Sequence, residues 1–249
     1  MNSTFKDLFS KQSLEYQKYR PSYPPELFKY LASLAPEHQV AIDLGTGNGQ
    51  AALALTSYFQ KVIAIDPSEK QIALAEPHER IEYRVGPGES LQISDHSVDL
   101  ITIAQAFHWF KHDLFFQEAH RVLKDQGILA IWVYNLCQVT PQIDAVIFDF
   151  YDRLLGPYWE PERRLLEENF KSIHFPLTEL QSRHFSMTLS WTLEQMIGYL
   201  GTWSALQSYR KKEGSDPLPE LQRHLGPLWN PDETKVVHWQ IHPRIFRNS

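Results

Sequence analysis

Three glycines at alternate positions, Gly45, Gly47 and Gly49, follow the short apolar run Val40-Ala41-Ile42-Asp43-Leu44. They lead directly into Gln50-Ala51-Ala52-Leu53-Ala54-Leu55-Thr56, which is rich in strong helix formers. A β-branched strand that turns through glycines into a helix is the opening half of a βαβ unit. Close-set glycines let the backbone turn sharply and approach a ligand without a Cβ in the way. The helix that starts there offers unpaired N–H groups and the positive end of its dipole. This loop therefore constrains both the architecture and the place where a ligand would sit.

The same rhythm repeats along the chain. Val62-Ile63-Ala64-Ile65 ends at Asp66-Pro67, and Ile81-Glu82-Tyr83-Arg84-Val85 ends at Gly86-Pro87-Gly88. Between them, Ser68 is placed to cap a helix running to Ala75. Val98 to Ala104 reads as a buried fourth strand, and Ile128 to Tyr134, after Gly127, as a fifth. His112 to Leu123 carries Leu114, Phe115, Ala119, Val122 and Leu123 at the spacing of one helix face. Strands alternating with helices predict right-handed crossovers and a parallel sheet covered on both faces, with ligands at the strands' C-terminal edge.

Beyond Asn135 the rhythm changes. Residues 141–170 read as helical, Leu193 to Leu200 as a helix, another helix begins near Thr202, and Gly214 to Pro219 reads as a linker. Phe185 to Leu189 and Val236 to Ile245 read as strands, an antiparallel pair closing the sheet edge. The expected fold is one α/β domain over residues 1–249: a Rossmann-like, doubly wound, mostly parallel seven-stranded sheet with an antiparallel edge hairpin and helical additions. Residues 1–35 form its helical cap, 36–135 its ligand-binding core, and 136–249 lid helices and closing strands.

A net charge of −6 argues against broad electrostatic capture of nucleic acid. The single cysteine, Cys137, makes no intrachain disulfide and reads as a core residue. Met1 to Asp7 lacks the apolar core of a secretory signal, and no apolar run approaches the roughly 20 residues of a membrane span. A cytoplasmic protein with no membrane partner is expected; the oligomeric state stays open. His108 and His112 are four apart but lack the intervening Glu of a zinc-protease helix, so no metal site is expected.

The glycine spacing separates two nucleotide-like ligands. A dinucleotide fingerprint wants its third glycine or an alanine at position 50, where this chain has Gln50. Asp43, two residues before Gly45, gives Asp-x-Gly-x-Gly-x-Gly, which resembles motif I of class I S-adenosylmethionine (SAM)-dependent methyltransferases. A carboxylate at that strand end suits SAM, with its ammonium and sulfonium charges, and would repel a pyrophosphate; its alternative role is to cap the turn. Asp66, about 20 residues on, can accept from both ribose hydroxyls, which suits SAM and NAD alike.

Further segments carry the resemblance over roughly the first 135 residues: Tyr19-Arg20-Pro21-Ser22-Tyr23-Pro24, Val85-Gly86-Pro87-Gly88-Glu89-Ser90-Leu91 and Ala104-Gln105-Ala106-Phe107-His108-Trp109-Phe110. Tyr199-Leu200-Gly201-Thr202-Trp203-Ser204-Ala205 is similar to a lid region. The chain resembles the trans-aconitate methyltransferase-like group of class I enzymes. That resemblance implies SAM as cofactor, converted to S-adenosylhomocysteine and held by Asp43, Gly45, Thr46, Gly47, Asp66, Pro67, Gly88, Glu89 and Gln105. Tyr19 and Arg20 would fold over it, with Arg20 facing the methionine carboxylate. Pro87 departs from the pattern, standing where relatives often carry an Asp for the adenine amine, and has no donor or acceptor side chain to replace it.

Gln105-Ala106-Phe107 stands where amine-directed relatives carry Asn/Asp-Pro-Pro-Tyr/Phe. The acceptor expected is therefore a small molecule, methylated on a carboxylate or hydroxyl oxygen. His108 is the candidate general base, or an orienting group, because imidazole titrates near neutrality. Trp109 and Trp203 are candidate substrate-positioning residues, and Arg183, Arg210 and Lys211 candidate carboxylate clamps. Two other readings stay open: a NAD(P)-dependent oxidoreductase and a non-catalytic SAM-binding protein.

Overall fold

A computed structural model describes residues 19–249. Residues 1–18, half of the expected helical cap, lie outside the described residues. Five strands run parallel in the order β3-β2-β1-β4-β5: β1 (Val40–Leu44), β2 (Lys61–Asp66), β3 (Ile81–Val85), β4 (Val98–Ala104) and β5 (Leu123–Tyr134). The strand order reverses at β1, which has β2 on one side and β4 on the other. A crevice opens at such a switch point beyond the strands' C-terminal ends.

Strand periodicity divides the core in two. Ala41, Val62, Ala64, Leu100, Ile128 and Ala130 face α1 (Pro25–Leu34) and α2 (Gln50–Leu55). Their neighbours Ile42, Ile63, Ile65, Ile101, Leu129 and Ile131 join Phe115, Ala119 and Val122. Those three lie on α4 (His112–Val122), which follows α3 (Glu69–Ala73) in the chain. Successive side chains of a strand point to opposite faces, so runs that are apolar at every position fit a sheet buried on both sides.

β8 (Lys235–Arg247) lies antiparallel to β5, from Ile128 opposite Arg247 to Tyr134 opposite Ile241. On its far side lie β6 (Thr178–Leu180) and β7 (Phe185–Trp191). The expected β7–β8 pair is present, but two short segments fill the outer position, and among the described residues the sheet has eight strands, not seven. The three residues of β6, Thr178-Glu179-Leu180, are too few and too polar to show an alternating pattern.

The helical stretch expected over 141–170 is interrupted. α5 (Pro141–Asp149) passes into a π turn at Phe150–Leu154 and a 3-10 turn at Gly156–Tyr158 before α6 (Arg163–Glu167). Pro157 and Pro161 lack the N–H that a continuous helix needs. α7 (Leu193–Gly201) opens with a Thr192–Gln195 capping box, and α8 (Ser204–Glu213) ends at Gly214. α9 (Leu218–Leu225) starts inside the expected linker, because Pro219 falls in its first turn, where proline is tolerated. Among the described residues no helix is long and apolar enough to cross a membrane.

Candidate active site

The C-terminal ends of β1, β2 and β4 meet at the glycine loop. Asp43 sits in register with Thr102 of β4. Thr46 Oγ1 donates to Asp43 Oδ2 at 2.6 Å and Thr102 Oγ1 to Asp43 Oδ1 at 2.7 Å. Both carboxylate oxygens are thus engaged within the protein, and Asp43, 1% exposed, braces the loop against β4. Burial raises its pKa to about 6, the threonine hydroxyls only partly offsetting the lost hydration.

The raised value sets a sign. Between about pH 4 and 6 the folded chain binds this proton and the unfolded chain does not, so stability falls as pH rises through that window. Relative to Asp43→Asn, the wild type is expected to gain on the order of 2–3 kcal/mol as pH falls from 7 to 4. Urea unfolding of both proteins across that range measures the difference, and a constant difference would contradict it.

Gly45 and Gly47 have φ of +65° and +57°. A Cβ on Gly45 would lie 2.4 Å from the Ala106 Cβ, so this glycine answers to the β4 loop rather than to a ligand. A Cβ on Gly47 would meet only Gln71 Oε1, at 4.0 Å, so nothing packs tightly over this glycine. Asp66, 8% exposed, accepts from the Gly47 N–H at 2.9 Å and the Ser68 N–H at 2.8 Å, tying the ends of β1 and β2 together. Pro67 beside it is exposed. Past β3, Gly88 is buried under the Phe110 ring, and Glu89 Oε1 accepts from the Lys111 N–H at 2.7 Å.

A cavity opens past β4 and β5, lined among others by Arg20, Gln105, His108, Trp109, Tyr199 and Trp203. Gln105 holds a left-handed φ of +60° and donates through Nε2 to the Tyr134 carbonyl at 3.2 Å. The 3-10 turn Phe107–Trp109 then buries Phe107 completely and presents His108 and Trp109 to the cavity. Arg20 donates to the Tyr134 hydroxyl at 2.8 Å and lies over the Tyr199 ring. The Tyr19 ring packs against Gly198 of α7. A second cavity adjoins the loop at Asn48, Gly49 and Gln50, and Arg20 and Tyr134 line it too.

His108 is buried, and its Nδ1 has no hydrogen-bond partner. Burial, then the charges of Arg163 and His112, push its pKa down to about 3. It is therefore a neutral imidazole near pH 7, and its low basicity removes the reason for reading it as a proton acceptor tuned to neutrality. His112 donates to the Phe107 carbonyl at 3.1 Å, and no group of three or more metal-ligating side chains occurs among the described residues.

The three candidate clamps do not reach the cavity. Arg183 lies over Tyr30, Arg210 pairs with Asp216 at 2.7 Å, and Lys211 is exposed. In their place the cavity holds Arg163, with Trp159, Glu160 and Tyr134. The aromatic cluster Tyr158-Trp159 was legible in the sequence; Arg163, beyond two prolines, carries no local signal. Cys137 is buried, with its thiol pushed up to about 12, as fits a core residue.

Comparison with known proteins accords with this geometry. Residues 42–131 match the methyltransferase domain model. A protein of Dictyostelium discoideum designated a methyltransferase is 36% identical over 225 residues, or 89% of this chain and 86% of its own. The chain belongs to the class I SAM-dependent methyltransferases. A Saccharomyces cerevisiae protein designated a SAM-dependent methyltransferase is 33% identical over 83% of each chain. A solved methyltransferase structure from Anaeromyxobacter dehalogenans superposes with a TM-score of 0.87, at 39% identity over 92% of this chain and 98% of its own. SAM is thus the cofactor, and the loosely packed Gly47 backbone beside the buried Asp66 carboxylate fits a ribose-bearing molecule. The oxidoreductase reading falls with the family assignment.

Proposed function

We propose that this methyltransferase acts on an oxygen of a small molecule, with a carboxylate favoured over a hydroxyl. The observation that carries this reading is His108, a buried neutral imidazole beside Arg163 in the cavity past Gln105. A hydroxyl acceptor needs a base, and a group with a pKa near 3 is a poor one. A carboxylate is already ionised and needs alignment rather than deprotonation. The cavity measures about 70 Å³, which suits a few acceptor atoms rather than a polymer strand.

In this reading Asp66 accepts from the ribose hydroxyls, Gly45, Thr46, Gly47 and Pro67 line the backbone cradle, and Gly88 and Glu89 border the adenine. Asp43 acts mainly through the loop it braces. Tyr19 and Arg20 close over the methionine portion, and Gln105 stands between cofactor and acceptor. When bound, SAM would supply an electrophilic methyl carbon for the new O–C bond, with S-adenosylhomocysteine as the leaving group that takes the C–S electron pair. His108 and Trp109 position the acceptor, and Trp203 with the segments from residue 136 onward roofs the cavity and excludes water.

Two measurements test the proposal. Asp66→Ala is expected to weaken S-adenosylhomocysteine binding by roughly ten- to a hundredfold in calorimetry, the effect of losing about 1.5–3 kcal/mol from a charged hydrogen-bond partner. Unchanged affinity would remove Asp66 from the site. Incubation with labelled SAM and separate panels of small carboxylic acids, phenols and amines should put label in the acids. Label confined to the amines would refute the oxygen reading.

A further inference from the structure

Arg163 has an unusual setting for a cation. Its guanidinium carbon lies 4.3 Å from the centre of the Trp159 ring and 5.4 Å from that of Tyr151. Its Nε donates to the Tyr151 hydroxyl at 3.1 Å, and that hydroxyl donates in turn to Glu167. Trp203 packs edge-on to Tyr151 and lies 5.7 Å from Trp159, so aromatic rings hold the whole assembly. Among the described residues no hydrogen bond engages the two Nη groups. Glu160 lines the same cavity.

A guanidinium stacked on an aromatic face, tethered through Nε alone, keeps its forked Nη donors for a planar anion. Its orientation is fixed in advance, so little rotamer freedom remains to be lost on binding. We propose that Arg163 is a specificity-determining residue that binds an anionic group of the acceptor other than the oxygen being methylated. This inference rests on the small-acceptor reading. The distinction between the two acceptor groups follows from charge. A carboxylate held by both Nη groups has its electron density drawn toward the guanidinium, which weakens it as a nucleophile, and methylation would abolish the ion pair. An anion remote from the reacting oxygen keeps its charge throughout.

The test uses the S-adenosylhomocysteine-bound protein and a series of linear dicarboxylates from malonate to adipate, each paired with the monocarboxylate of equal chain length. Calorimetry should show at least one dicarboxylate bound about ten- to a hundredfold more tightly than its monocarboxylate partner. Arg163→Gln should abolish that preference while S-adenosylhomocysteine affinity stays unchanged, and Arg163→Lys should restore only part of it. A preference that survives in Arg163→Gln overturns the proposal, as does a wild type that binds no member of the series above its monocarboxylate. The oxygen reading fails separately. Label in amines with an Arg163-dependent dicarboxylate preference would sink that reading and keep this one, whereas oxygen methylation unaffected by Arg163→Gln would do the reverse.

Discussion

Gly45→Ala is expected to be the most damaging single-methyl change in the cofactor loop. The new Cβ would lie 2.4 Å from the Ala106 Cβ and would sit on a backbone at φ +65°. The left-handed conformation costs a non-glycine residue about 1–3 kcal/mol, and overpacking adds about 1–3 kcal/mol. Relief requires the β1 and β4 loops to part, and those loops position Asp43, Gly47 and Gln105. Urea unfolding should record a loss of about 2–6 kcal/mol, and calorimetry a fall in S-adenosylhomocysteine affinity of at least about thirtyfold. Gly214→Ala is the control. Its φ is +69°, yet no atom lies within 4 Å of the added Cβ. It should show the conformational cost with unaltered cofactor affinity. Equal affinity losses in the two variants would show that the contact with Ala106 is not the cause.

Phe107→Ala is the second large effect, and it separates the acceptor side from the cofactor side. Phe107 is fully buried, its ring 4.6 Å from His112, 5.4 Å from Phe115, 5.2 Å from Phe170 and 5.5 Å from Phe175. Truncating a phenyl ring in such a cluster costs about 3–5 kcal/mol. The ring anchors the short turn that carries His108, so its loss should loosen that turn and let water reach the imidazole. The pKa of His108 should then rise from about 3 toward its ordinary 6.5, visible in the NMR titration of its ring protons. Methyl transfer should fall at least tenfold while S-adenosylhomocysteine affinity changes little. Phe107→Leu, with a smaller volume loss, supplies a variant that folds if the alanine protein does not. A His108 pKa unchanged in both variants would dissociate the cluster from the site.

Much of this arrangement was readable from residue order. The five parallel strands announced themselves because both faces of the sheet are covered, so Ala41 and Ile42, or Leu100 and Ile101, needed no alternation with surface residues. The places of the glycine loop and of Asp66 in the fold were readable because each is local to one strand end. Asp43 was only half legible. Its charge is visible in sequence, but the threonine that takes up Oδ1 comes from β4, 59 residues away. The cavity was harder still, since its walls come from residue 20, the β4 loop, the end of β5, the turn after α5 and the junction of α7 and α8. Arg183 and Arg210 looked equivalent to Arg163 as cations; only tertiary packing assigns the first to Tyr30, the second to Asp216 and the third to the cavity. β6 went unseen because three residues held by Ile245 to Arg247 leave no periodic trace.

Arg20 belongs to the walls of both cavities, and Tyr134, which accepts its hydrogen bond, does as well. A side chain shared in this way gives the two spaces a common wall, through which filling one can alter the free energy of filling the other. Linkage then demands reciprocity: whatever factor the cofactor contributes to acceptor affinity, the acceptor returns to the cofactor. Where cofactor and acceptor fill the two spaces, any coupling through Arg20 is one quantity read from either side, so each binding constant is to be measured at a stated concentration of the other partner.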